Sequence, residues 1–302
     1  MCGIVGLFLK NPALRDELGA RFATMLAGMA DRGPDSAGLA VFHDPVSEPD
    51  CKLTLFAARP EHDWNAVGGA LAAALGATPD IEVRSNHAVL RMAGTASRAV
   101  AWLAANRPDI RVMGYGRLIE VFKDKGLPDE IAARFRVGEM GGTHAIGHTR
   151  MATESAVTTE HSHPFIAADD VCLVHNGSLS NHNRLRLWLR RRGLDFESDN
   201  DTEVAARYFA HRLDEGASLK EAMEAGLQDL DGFYTFAVGT ADGFAVLRDA
   251  FACKPAVLAE NDDWVAMASE FRSLADLPGV NEAKIWEPEP STVYMWSLEG
   301  RS

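Results

Sequence analysis

The chain opens Met1-Cys2-Gly3-Ile4-Val5-Gly6, and removal of the initiator Met would leave a thiol as the first side chain of the mature protein. A free α-amino group has a pKa of about 8 and a thiol about 8.5, so near neutral pH one can take a proton from the other. No separate histidine base is then required. The small Cys at position 2 suits Met removal, and the apolar run from Ile4 to Leu9 reads as a buried strand carrying the terminus inward. Chain ends are normally frayed, so a buried one is unusual. A free Cys is also often only a small apolar residue opening a strand, and the hexapeptide alone leaves both readings open.

Histidines and the other cysteines offer a different chemistry. His144 and His148 are four apart and His161-Ser162-His163 holds a second close pair, a spacing that would suit zinc on a helix. His148-Thr149-Arg150 reads as strand instead, and no metal is expected. Cys51, Cys172 and Cys253 are scattered with no CxxC pair and read as structural thiols, which suits a reducing cytoplasm rather than a disulfide framework.

These residues must be positioned by a chain of 302 residues, 47% hydrophobic and 24% charged, enough for one large core or two modest ones. Thirty basic against 43 acidic residues give a net charge of −13, which opposes nucleic acid or an anionic membrane as partner. The densest basic cluster, Arg190-Arg191-Arg192, lies on an expected helix and reads as its solvated face. The N-terminal apolar run is about six residues long and Lys10 follows it, so it is neither signal peptide nor membrane span. A cytoplasmic protein is expected.

Strand and helix alternate along the chain. Asn11-Pro12 opens an expected amphipathic helix to about Ala30, broken by Asp31-Arg32-Gly33-Pro34-Asp35, and Gly38 to Phe42 reads as a second strand. From His43 to about Glu139 the habits change: an exposed loop with Pro45 and Pro49, an Ala-rich helix from Val67 to Ala77, a strand from Val83 to Met92, a helix from Ser97 to Asn106 and a strand from Ile110 to Met113. This stretch, 43–140, reads as a small α/β insertion in a single domain, 1–302. Beyond Gly141 come the strand leading into Thr149-Arg150, the strand Val171 to Val174, and helices at Asn181 to Arg192, Asp201 to Leu213 and Leu219 to Leu227. Five further strands, from Phe233 to Trp296, are expected to form a second sheet packed on the first, because several are apolar throughout and need cover on both faces.

Five motifs occur in order: Cys2-Gly3-Ile4-Val5-Gly6, Asp31 to Gly38 (DRGPDSAG), Gly147 to Thr153 (GHTRMAT), His175-Asn176-Gly177 and Asp201-Thr202-Glu203. With Arg248-Asp249, Lys254-Pro255 and Ser269-Glu270 they resemble the class II glutamine amidotransferase domain over about 1–42 and 141–300. The resemblance implies an α+β fold, the four-layer αββα N-terminal-nucleophile hydrolase sandwich, and L-glutamine as substrate.

Opening glutamine's side-chain amide needs a nucleophile, a proton carrier, an oxyanion site and a grip on the amino-acid end. Cys2 would supply the thiolate and its α-amino group the proton shuttle, through a γ-glutamyl thioester. Asn176 and Gly177 end a buried strand, where a side-chain N–H and a backbone N–H can point at a developing oxyanion; Asn-Gly is equally the signature of a plain hairpin turn. Arg150 can bind an α-carboxylate through two parallel hydrogen bonds, with the Thr153 hydroxyl beside it. Asp201 reads alone as a helix cap or first-turn acid, and the resemblance makes it the acceptor for the substrate's α-ammonium. Arg32, in its Gly-Pro turn, is implied to support the nucleophile's surroundings without touching substrate.

Two features depart from the common family pattern: Met151, where an aromatic residue often follows the arginine, and the long 43–140 segment. A free-standing domain with this opening most resembles the amidotransferase subunit of N-methylglutamate synthase, a relative of glutamate synthase split over several chains. That implies partner synthase subunits holding flavin, with iron–sulfur a further candidate, and no cofactor in this chain. The alternatives are a free-standing N-terminal-nucleophile hydrolase of another amide and a non-catalytic regulatory subunit.

Overall fold

In the computed structural model residues 2–151 and 157–298 are described, and they form sixteen strands and seven α-helices numbered in chain order. β1 (Gly3–Leu9) is buried along its whole length because it lies inside a seven-stranded antiparallel sheet. The order there is β15 (Lys284–Trp286), β13 (Val257–Glu260), β14 (Trp264–Ala268), β1, β8 (His144–Arg150), β2 (Ser36–Phe42) and β7 (Ile119–Lys125). A five-stranded antiparallel sheet packs on it, ordered β16 (Val293–Ser297), β12 (Gly243–Arg248), β11 (Gly232–Thr240), β10 (Val171–Leu179) and β9 (Phe165–Ala168).

Side-chain alternation along β1 builds two cores at once. Ile4 and Phe8 point between the sheets, among Phe42, Ile146, Val174 and Phe244. Val5, Leu7 and Leu9 point the other way, onto Phe22, Met25 and Leu26 of α1 (Leu18–Ala27). The outer face of the five-stranded sheet is covered by α5 (His182–Arg190), α6 (Asp201–Asp214) and α7 (Leu219–Asp229), with Tyr208, Phe209 and Met223 against Leu173, Phe236 and Val238. Helix, sheet, sheet and helix thus stack as the αββα sandwich.

A third sheet, β4 (Asp80–Arg84), β5 (His87–Ala93), β3 (Asp50–Ala57) and β6 (Ile110–Gly116), carries α2 (Trp64–Leu75) and α3 (Ala96–Asn106) around a core of its own. The chain then returns to the main sheet, where β7 pairs with β2, and continues through α4 (Pro128–Arg134).

Three local expectations need correction. The stretch from Val83 to Met92 is not one strand but the hairpin β4–β5, turned at Ser85 with φ +57° and Asn86. The first helix does not run from Asn11 unbroken: Pro12–Glu17 wind as a 3-10 segment capped by the Asn11 side chain, and α1 begins at Leu18. The late strands do not all join the second sheet. β13 and β14 extend the first, because β1 is buried on both flanks and needs a hydrogen-bonding partner on each side.

Candidate active site

Cys2 immediately precedes β1, at the end of the strand where β8 finishes. Gly3 pairs with Thr149 in the β1–β8 ladder, which brings Cys2 beside Arg150 and puts Sγ 3.9 Å from the Met151 carbonyl oxygen. The backbone behind the thiol is fixed from two sides. Ser269 exchanges bonds with Ile4, its Oγ accepting from the Ile4 N–H and its own N–H donating to the Ile4 carbonyl, each at 2.9 Å. Arg32, buried, donates from Nε to the Cys2 carbonyl oxygen at 2.9 Å and from Nη1 to Glu270 at 2.7 Å. Gly33 lets that turn press onto β8: a Cβ there would lie 2.3 Å from the Thr149 carbonyl carbon and 2.4 Å from the Arg150 nitrogen.

From the opposite sheet, Asn176 donates Nδ2 to the same Cys2 carbonyl oxygen at 3.1 Å. An amide NH2 has two hydrogens, so one remains for a ligand. Gly177 follows with φ +149°, and a Cβ on it would fall 1.9 Å from the Phe233 carbonyl oxygen. Both the backbone angle and the space restrict the position to glycine.

Two residues on, the Leu179 N–H donates to Oδ2 of Asp201 at 2.8 Å, which ties the end of β10 to the first residue of α6. Burial opposes ionisation of Asp201, but His175, 3.7 Å from Oδ1, and the Leu179 N–H outweigh it and hold the carboxyl down at about 2. Beneath lies a layer of buried histidines. His163 Nε2 and His175 Nδ1 lie 2.7 and 2.9 Å from the Thr202 hydroxyl, and the rings of His148 and His163 stack with centroids 3.9 Å apart. Burial pushes His148 down to about 3 and His163 well below the ordinary histidine value, so both are neutral. One hydroxyl serves two rings because it donates to one ring nitrogen and accepts from the other.

Cys2, Arg32, Arg150, Asn176, Gly177 and Asp201 therefore lie where β1 begins and β8 and β10 end, while Thr153 lies outside the described residues. Among the described residues no group of three or more His, Cys, Asp or Glu is arranged to hold a metal, and all four cysteines are free thiols. His144 instead stacks on Phe42 at 4.1 Å. Residue-by-residue reading passed over Thr202 and His175, although both sit inside the quoted motifs. Glu203, the third residue of Asp201-Thr202-Glu203, anchors the approach to α6 by accepting from the Glu197 and Ser198 N–H groups, each at 2.8 Å.

Comparison with known proteins decides the family. The glutamine amidotransferase domain family matches residues 148–276. The glutamine amidotransferase-like protein GlxB of Rhizobium meliloti (strain 1021) is 54% identical over 98% of this chain and 98% of its own length. The chain belongs to the class II glutamine amidotransferases. A putative glutamine amidotransferase of Methanothermobacter thermautotrophicus is 34% identical to this amidotransferase over 97% of the chain and 99% of its own. The solved glutamine phosphoribosylpyrophosphate amidotransferase from B. subtilis, in complex with ADP and GMP, shares the fold with a TM-score of 0.64 at 20% identity. It covers 99% of the amidotransferase described here, which spans about half (48%) of that chain. No helix among the described residues is long and apolar enough to cross a membrane.

Proposed function

We propose that this amidotransferase opens L-glutamine with Cys2 and supplies a partner synthase in the cytoplasm. After Met1 is removed, the α-amino group takes the thiol proton and Sγ attacks the side-chain amide carbon. The C–N bond breaks as the C–S bond forms, the leaving nitrogen takes the proton from the α-ammonium, and a γ-glutamyl thioester remains for water or an acceptor to open. The second Asn176 Nδ2 hydrogen and the Gly177 N–H stabilise the oxyanion; Arg150 and Thr153 hold the α-carboxylate and Asp201 the α-ammonium. Arg32 is a positioning residue. The observation that carries this reading is the shared hydrogen bonding of the Cys2 carbonyl by Arg32 and Asn176, which sets the thiol beside an oxyanion donor.

The nitrogen or glutamyl group then passes to subunits of the N-methylglutamate synthase or glutamate-synthase-like kind, which the resemblance implies to hold flavin, with iron–sulfur a further candidate. Cys2→Ala is expected to abolish glutamate release from glutamine, and retained release would sink the mechanism. Co-purification from the native source, with ammonia and methylamine compared as acceptors, tests the partner assignment; a chain isolated without a synthase subunit would overturn it.

A further inference from the structure

Lys123 on β7 is buried, yet among the described residues no carboxylate oxygen lies within 4.0 Å of its ammonium. Nζ donates to the Ser162 and Pro164 carbonyl oxygens at 2.8 and 3.1 Å and stands 4.7 Å from the centre of the Phe165 ring. An ammonium has three hydrogens, so one is unaccounted for. Burial pushes Lys123 down to about 8 in spite of Glu197, Glu203 and Glu160 nearby. A buried ammonium with carboxylates nearby but none in contact is costly, and its third hydrogen is left for an acceptor.

A cavity of about 130 Å³ opens beside it, between the third sheet and α6. Arg111 and Tyr115 of β6, Arg207 of α6, Glu160 and Glu197 also line it. Among the described residues Arg207 Nε is buried with no hydrogen-bond partner, and its head group reaches only Glu203, at 3.8 Å. That carboxylate is already occupied by the Glu197 and Ser198 N–H groups and the Ser198 hydroxyl. The side chains of Arg111, Glu160 and Glu197 make no hydrogen bond or ion pair among the described residues. Arg111 and Glu197 are exposed and solvated, whereas Lys123 Nζ and Arg207 Nε are buried; charges of both signs thus face one small space, which a simple anion would satisfy only in part.

We propose that this cavity binds a small α-amino acid, its carboxylate held by Lys123 and Arg207 and its ammonium by Glu160 and Glu197. A cavity of ~150 Å³ admits benzene. About six non-hydrogen atoms therefore fit within it, the size of alanine. The site stands apart from the Cys2 chemistry but not from its scaffold: Ser162 and Pro164, which hold Lys123, flank His163, whose ring bonds Thr202 next to Asp201.

The test is calorimetric titration of L-alanine into the full chain after Cys2 has been blocked with a glutamine-like electrophile, with acetate and ethylamine as half-ligand probes. Blocked protein is expected to bind one alanine, with acetate and ethylamine at least about tenfold weaker. Glu197→Gln, at an exposed position, and Arg207→Gln should each weaken alanine about tenfold, since each loses a charge-assisted hydrogen bond. Absence of alanine binding, unchanged affinity in Glu197→Gln, or acetate binding as tightly as alanine would each overturn the proposal. Failure of Cys2 to take the electrophile counts against the glutaminase mechanism alone, because the alanine titration then proceeds on the unblocked chain.

Discussion

The Cys2 carbonyl oxygen has two lone-pair directions, and Arg32 and Asn176 supply a donor to each. Neither bond touches the thiol, yet together they fix the peptide plane that aims it. In the proposed mechanism Asn176 also presents its second amide hydrogen to the reacting carbonyl. Arg32 is proposed only to position the Cys2 backbone, through Nε to the Cys2 carbonyl and Nη1 to Glu270 at 2.7 Å. The two side chains should therefore be separable by kinetics. Asn176→Ala is expected to lower kcat for glutamine hydrolysis by about a hundred- to thousandfold, the loss typical of one oxyanion donor, with KM changed little. A kcat within a few-fold of the unaltered protein would remove Asn176 from the oxyanion site and leave it only as a brace for Cys2. Gly177 beside it tolerates no side chain, because a Cβ would overlap the Phe233 carbonyl oxygen, so Gly177→Ala should yield protein of lower thermal midpoint.

At the scale of elements, α6 matters because three consecutive residues at its start face three different ways. Asp201 meets β10, Thr202 meets the histidine layer and Glu203 meets the segment before the helix. Thr202→Val preserves shape but leaves His163 Nε2 without its buried partner and His175 with Asp201 alone. It should destabilise the protein by about 1–3 kcal/mol per orphaned group in urea denaturation, and raise KM for glutamine as α6 shifts Asp201. An unchanged KM in a destabilised protein would show that the helix start is not part of the glutamine grip. This layer is where reading the sequence stopped short. Asp201, Asn176 and Arg150 stood out because a carboxylate, an amide and a guanidinium have recognisable chemistry at a strand end or helix start. Thr202 and His175 look ordinary until β10, α6 and the His163 loop meet. The apolar runs foretold the sandwich, since strands like Ile4 to Leu9 must be covered on both faces. They did not foretell that β14 would flank β1, because strand order depends on contacts more than 250 residues apart in sequence. The Ser85-Asn86 turn was missed because it carries no glycine or proline.

Over the whole molecule, the buried histidines make stability depend on pH in a calculable direction. Burial, opposed by Asp124, pushes His87 down to about 3 in the third-sheet unit; burial holds His148 at about 3 and His163 well below its usual value near the candidate site. Unfolded, each would titrate near 6.5. Between those values the unfolded chain binds one more proton per histidine, so stability is full above about 6.5 and falls as pH drops toward 3. The slope is about 1.4 kcal/mol per pH unit for each, which for His87 and His148 sums to about 3 kcal/mol between pH 7.5 and 5.5, with His163 acting in the same direction. Other shifted groups act elsewhere. Asp201, depressed to about 2, contributes above its unfolded value and loses that contribution only as pH falls toward 2. Lys123, lowered to about 8, alters stability only above pH 8, where the unfolded chain binds the extra proton and stability rises with pH. The formal charge of −13 acts in the opposite sense, since mild acid relieves self-repulsion, but exposed charges are screened by salt and contribute less. Urea denaturation at pH 7.5 and 5.5 in 0.15 M salt should therefore show a lower midpoint at 5.5 with an unchanged slope, and an equal or higher midpoint there would mean that the histidine layer is protonated in the native state.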